Sequence, residues 1–228
     1  MGMKGSGTAE DFRVVNEGDH GFGWIAYPDE EMQRASVALV GDDEQVWVCD
    51  PIDVPGLDEL LEEHGEVGGV VVTLDRHKRD SAAVANRHDV PVYLPTWFTG
   101  VADDLDAPVE RFGNELDDSG YRTLRLRDGR FWQEAGLYHE ESGTLWVPES
   151  VGNCDYFLAS GEDLGVHPAL RAFPPRRALG ELRPERIHAG HGEGVGTDTT
   201  TALSDALAGS RKRMLGVYAR AARNAMPF

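Results

Sequence analysis

Three features of the 228-residue sequence predict an α/β protein. Short helical patterns flank the apolar run Val70-Val71-Val72-Thr73-Leu74, a series of β-prone runs fills the second half, and a long amphipathic segment closes the chain. The apolar run suits a strand buried on both faces. A β-α-β-α-β order around it implies a mostly parallel region covered by helices. Antiparallel pairing is expected further on, where short turns separate the runs.

Residues 37–40 and 45–49 read as strands joined at Gly41-Asp42-Asp43, a hairpin signal. Asp50-Pro51 closes the second, and residues 55–64 form a short helix through Leu57, Leu60 and Leu61, stopped at Gly65. After the central strand a polar segment, 75–80, leads into a helix over 81–88 and a strand over 91–94. Residues 121–126, 131–138 and 144–147 read as successive antiparallel strands joined by Asp128-Gly129 and Glu141-Ser142-Gly143 turns. One more short strand is expected over 154–158, and a last one over 186–188 before Ala189-Gly190-His191-Gly192. The Pro- and Arg-rich stretch 167–183 is too punctuated for one long helix. Residues 200–226 form the clearest helix, with Leu203, Leu207, Met214, Leu215 and Tyr218 on one stripe. With no internal repeat or low-complexity linker, one domain over 12–228 preceded by a flexible segment, 1–11, is expected.

The chain carries 40 acidic against 22 basic residues, a formal charge of −18, and only Lys4, Lys78 and Lys212 are lysines. Such a polyanion repels phosphate backbones and anionic membranes, so neither nucleic acid nor membrane is expected as a partner. Acidic clusters with so few lysines resemble the proteins of salt-in halophiles, where multimolar salt screens self-repulsion. No apolar run reaches membrane-spanning length and the N-terminus has no apolar signal core, so a cytoplasmic protein is expected. Cys49 and Cys154, set in apolar stretches, read as buried reduced thiols. There is no G-x-S-x-G, P-loop, dinucleotide fingerprint or CxxC, which removes support for serine hydrolase, NTPase, Rossmann and zinc-ribbon readings.

Several segments together resemble the metallo-β-lactamase-fold superfamily over most of the chain. They are Val46-Trp47-Val48-Cys49-Asp50-Pro51, then Val70-Val71-Val72-Thr73, Val90-Pro91-Val92-Tyr93, Thr144-Leu145-Trp146-Val147-Pro148-Glu149, and Arg186-Ile187-His188-Ala189-Gly190-His191-Gly192. The resemblance implies an αββα four-layer sandwich. In that superfamily the strand ending in Thr carries an HxHxDH metal motif; here Asp75-Arg76-His77-Lys78-Arg79-Asp80-Ser81 stands in its place. With Asp80 at the motif's Asp, Arg76 and Lys78 fall on histidine positions; a frame shifted by one places Asp75, His77, Arg79 and Asp80 on the four positions. The middle-strand histidine is also missing, with Arg130 nearest its place.

Arginine does not deprotonate and repels a divalent ion, so two metals are not expected. The resemblance leaves at most one mixed N/O site from His77, Asp80, Glu149 and His191, suited to one Zn²⁺, Mn²⁺ or Fe²⁺, or to no metal. Asp80 and His191 are the candidate catalytic groups, and Arg76, Arg79 and Arg130 the candidate anion-binding ones. Two functions fit. One is a hydrolase-like protein with this reduced site, acting on a small ester or anionic substrate; the other is a metal-free, non-catalytic binding or regulatory module. A small-molecule ligand and homo-oligomerisation are the expected associations.

Overall fold

The computed structural model describes residue 9 and residues 11–224, so most of the N-terminal segment expected to be flexible lies outside the described residues. A seven-stranded sheet follows chain order through β1 (Arg13–Gly18), β2 (Gly21–Ile25), β3 (Ala35–Val40), β4 (Gln45–Cys49), β5 (Glu66–Val71), β6 (Val92–Pro95) and β7 (Val109–Phe112). Strands β1 to β4 pair antiparallel; β4 to β7 pair parallel. Helices α1 (Leu57–Glu62) and α2 (Ser81–Arg87) make the crossovers on either side of β5. A second sheet has the order β13 (Arg186–Ala189), β10 (Thr144–Val147), β9 (Trp132–His139), β8 (Tyr121–Gly129), and only its β10–β13 pair is parallel. A two-stranded ribbon, β11 (Val151–Gly152) with β12 (Gly165–Val166), the short α3 (Arg176–Leu179) and the 26-residue α4 (Thr199–Asn224) complete the described chain.

The layers follow from the two-residue period of the strands. On β4, Val46 and Val48 pack outward with Leu57 and Leu61 of α1 and Val84 of α2, while Trp47 and Cys49 pack inward. Leu39, Val71, Tyr93 and Phe112 join that inner layer and meet Tyr121, Leu137 and Trp146 of the second sheet. The far face of the second sheet, through Leu124, Tyr138, Leu145, Val147 and Ile187, meets Leu203, Ala206 and Leu207 of α4. Three apolar cores separate four layers, the expected αββα sandwich.

Differences from the sequence reading have local causes. Strand β5 stops at Val71, because residues 73–75 leave β6 and bond β9 instead: Ala135 N–H donates to Thr73 O and Asp75 N–H to Gln133 O. No strand forms over 154–158; Phe157 N–H bonds Cys154 O in a turn, and the pairing occurs on either side of it, in β11 and β12. On α4, Leu215 lies outside the core at 75% exposure, and Val217 takes the buried position instead. Both cysteines are buried and unpaired.

The 154–171 segment is anchored from inside. Arg171 and Glu162 are both fully buried and pair two-pronged, Arg171 also donates to Phe157 O, and Ser210 Oγ on α4 donates to Arg171 O at 2.9 Å. On β13, His188 is buried with Nε2 unpartnered among the described residues, and burial, with the charge of Arg186, pushes it down to about 3. An unfolded imidazole titrates at about 6.5, so the neutral ring stabilises the fold above that pH, and its contribution is lost as pH falls from there toward 3. A His188→Gln variant should therefore lose stability less steeply on acidification, by up to about 1.4 kcal/mol per pH unit in urea titrations between pH 6.5 and 4. An unchanged slope would contradict this.

Candidate metal centre

Three side chains bring ligand atoms within 4.8 Å of one another: His77, Glu149 and His191, all buried. Each stands where a strand or its extension runs out. His77 sits two residues beyond the 73–75 extension, in a turn closed by its own N–H to Leu74 O. Glu149 follows β10, and buried Glu134 on β9 fixes its backbone, accepting from Glu149 N–H at 3.1 Å, Ser150 N–H at 2.7 Å and Ser150 Oγ at 2.6 Å. His191 follows β13 through Gly190, whose missing Cβ would stand 2.1 Å from Pro148 O; only glycine lets the two strand ends approach so closely.

The hydrogen bonds settle the imidazole orientations. His191 Nδ1 lies 2.9 Å from Met32 O. A carbonyl only accepts, so Nδ1 carries the proton, and in the neutral ring Nε2 presents a lone pair 3.1 Å from Glu149 Oε2. His77 repeats the pattern, with Nδ1 3.2 Å from the Asp50 carboxylate and Nε2 3.2 Å from the same Glu149 oxygen. Asp50 is completely buried and also accepts from Thr73 N–H at 2.7 Å and Thr73 Oγ1 at 2.8 Å. With both rings neutral, two lone pairs and a carboxylate oxygen converge, which requires a cation or an extra proton between them. Burial disfavours the proton on His191, lowering its pKa against the pull of Glu149. Burial also opposes the charge on Glu149; in the alternative state, with a proton instead of an ion, Nε2–H donation from His191 or His77 outweighs burial and holds that carboxyl well below the usual range.

These donors fit a divalent ion. Bonds of about 2.0–2.1 Å to a tetrahedral centre put ligand atoms about 3.3–3.4 Å apart, close to the 3.2 and 3.1 Å between Glu149 Oε2 and the Nε2 atoms of His77 and His191. The two rings are backed by a carboxylate and a carbonyl, the usual outer support of metal-binding histidines. Such an N₂O set leaves a fourth position open.

The other sequence candidates divide. Arg76 lies at the mouth, its side chain 41% exposed, 4.2 Å over the Trp132 ring and 3.6 Å from Glu149 Oε1. Arg79 adopts a left-handed backbone and turns inward, donating from Nη1 to Ala35 O at 2.6 Å and Asp50 O at 2.8 Å; its Nη2 is buried without a hydrogen-bond partner among the described residues. It is chiefly a staple between the 75–80 loop and the ends of β3 and β4. Asp80 lies apart from the ligand group: it precedes α2, is exposed, and its Oδ2 accepts from Asp53 N–H at 2.8 Å. That contact holds its carboxylate outside the ligand group of His77, Glu149 and His191. Arg130 is exposed at the β8–β9 turn over the Phe131 ring, and Trp132 is the residue that reaches the mouth.

Sequence reasoning passed over Asp50 as a ligand support, although an acid closing an apolar strand is a usable signal of a buried partner. It also passed over His167, whose Nε2 lies 3.4 Å from Glu149 Oε1 and which burial pushes down to about 4. His167 Nδ1 accepts from Ala169 N–H, and its ring contacts Trp132, Tyr156 and Phe157. No periodic pattern announces a histidine in so punctuated a stretch.

No protein-family model matches the sequence, and no curated protein matches it. Solved structures do. DIM-1 metallo-β-lactamase exposed to ceftazidime aligns with a TM-score of 0.61 at 12% identity, over 90% of this chain and 99% of that one. A metallo-β-lactamase from Pontibacter korlensis gives 0.58 at 12% identity, over 87% and 99%. TTHA1623, solved in a di-iron-bound form, gives 0.52 at 21% identity, over 75% and 93%. The chain therefore has the metallo-β-lactamase fold. Among the described residues, no helix is long and apolar enough to cross a membrane.

Proposed function

We propose that this chain, built on the metallo-β-lactamase fold, is a hydrolase with a single divalent ion held by His77, Glu149 and His191, acting on a small anionic ester. The convergence of two imidazole Nε2 atoms on Glu149 Oε2 carries this reading. A divalent ion in such a site, when bound, polarises a carbonyl and lowers the pKa of a bound water toward neutrality. The protein's own groups do the rest. Asp50 and Met32 O keep both rings with Nε2 facing inward. Arg76, with its guanidinium 4.2 Å over the Trp132 ring, presents donors at the mouth to a carboxylate or phosphate of the substrate. Trp132, Tyr156 and His167 wall off water on that side. The donor set suits zinc, manganese or iron.

The reading is tested by elemental analysis of protein purified without chelator, beside a His191→Ala variant. About one ion per chain is expected in the parent and a large loss in the variant, with chelator-sensitive hydrolysis of anionic aryl esters. A chain that takes up no zinc, manganese or iron when these are supplied would be the metal-free binding module instead.

A further inference from the structure

The tip of the β8–β9 hairpin departs from the rest of the surface. Phe131 is 86% exposed, and Arg127 and Arg130 flank it. In a chain of charge −18, neither arginine has a carboxylate partner among the described residues. Asp128, the one acid in residues 126–132, is taken by Arg125 at 2.9 Å. Residues 126–132 line a shallow depression of about 470 Å³ that is open to solvent. It adjoins the metal centre through one shared side chain: Arg127 stands 5.9 Å from the Trp132 ring centroid, and Arg76 stands 4.2 Å from it.

We infer that this tip is the recognition platform for the distal part of the substrate, which is an aromatic or similarly planar group bearing a phosphate or carboxylate. Arg127 and Arg130 take the anion, and the exposed Phe131 ring takes the planar face. Guanidinium groups match both anions in fork geometry, and an exposed ring beside them gives stacking area. Cation–π contact with Trp132 and Phe131 holds both guanidiniums in place without neutralising them, which leaves their N–H edges for the ligand. The inference rests on the hydrolase reading for the word substrate, but the platform itself makes no use of the ion.

The experiment is calorimetric binding of phenyl phosphate, benzoate and inorganic phosphate to the full chain, with and without added zinc, at fixed ionic strength. Compared are the parent, Arg127→Ala/Arg130→Ala and Phe131→Ala, all at exposed or half-exposed positions where folding is expected to persist and circular dichroism checks it. Phenyl phosphate should bind the parent and lose about tenfold or more in the double variant, the scale of one or two charge-assisted bonds. Phe131→Ala should weaken phenyl phosphate and benzoate several-fold and leave inorganic phosphate nearly unchanged. Equal affinities of folded parent and double variant, or no binding to the parent, would overturn the platform. Arginine-dependent binding in a chain that takes up no metal would keep the platform and sink the hydrolase; metal uptake with arginine-independent binding would do the reverse.

Discussion

An Asp50→Asn variant is expected to remain folded and to lose metal affinity by about 10–100-fold or more, the scale of changes to groups that support metal ligands. The change is nearly isosteric at a completely buried position, and one oxygen can still accept from Thr73 N–H. The difference falls on the other atom. Asp50 Oδ2 accepts from Thr73 Oγ1 and from His77 Nδ1. An amide NH₂ there donates, so His77 must accept at Nδ1 and carry its proton on Nε2. That proton points at Glu149 Oε2, where the ion belongs. Competition with a calibrated chelator measures the effect. Unchanged affinity together with a native melting temperature would show that Asp50 does not set the tautomer. Asp50→Ala is the contrasting case, since it strands three donors in the interior and reads out as lost stability.

The largest effect on stability is expected at Arg171. Replacing it with methionine leaves Glu162 buried beside Arg213 alone, which lies 3.3 Å away at a partly exposed position. Breaking a buried pair from one side costs about 3–5 kcal/mol, whereas removing both partners costs far less. Urea denaturation should place Arg171→Met that far below the parent, and Arg171→Met/Glu162→Leu should recover much of the loss. A single variant within about 1 kcal/mol of the parent would mean that the pair contributes little. The segment it anchors includes Tyr156, Phe157 and His167, so the wall of the metal centre should loosen with it.

Much of the sandwich is legible because its strands alternate or run wholly apolar, and the central apolar run with its helices identifies the parallel half. Strands β1, β2 and β7 are less so. Arg13–Gly18 is largely exposed and edge-placed, and Val109–Phe112 has two exposed residues in four, so neither shows an apolar face of useful length. The site divides in the same way. His191 and Glu149 announce themselves by following strands at a glycine-rich loop and an apolar end. Asp80 misleads because a carboxylate beside a helix start is equally at home facing solvent, and sequence spacing does not tell which way it turns. Asp50 and His167 are found only once pairing across the sheets brings distant strand ends together.

The inward turn of Arg79 bears on how an anion would reach the centre. Asp50 and Glu149 place two carboxylates in the interior, and the buried guanidinium offsets one of them, its own pKa lowered by burial and held up by those same acids. Glu134, which burial pushes toward its neutral form, adds little. A divalent ion would then leave the interior cationic within a chain whose net charge is −18. Approach and capture are therefore opposed: the net charge repels an incoming anion over about a Debye length, ~8–10 Å in ordinary buffers, and the interior and the arginines at its mouth attract it only at short range. Added salt collapses the outer barrier first, so association with an anionic molecule would quicken with ionic strength before competition at the centre slows it.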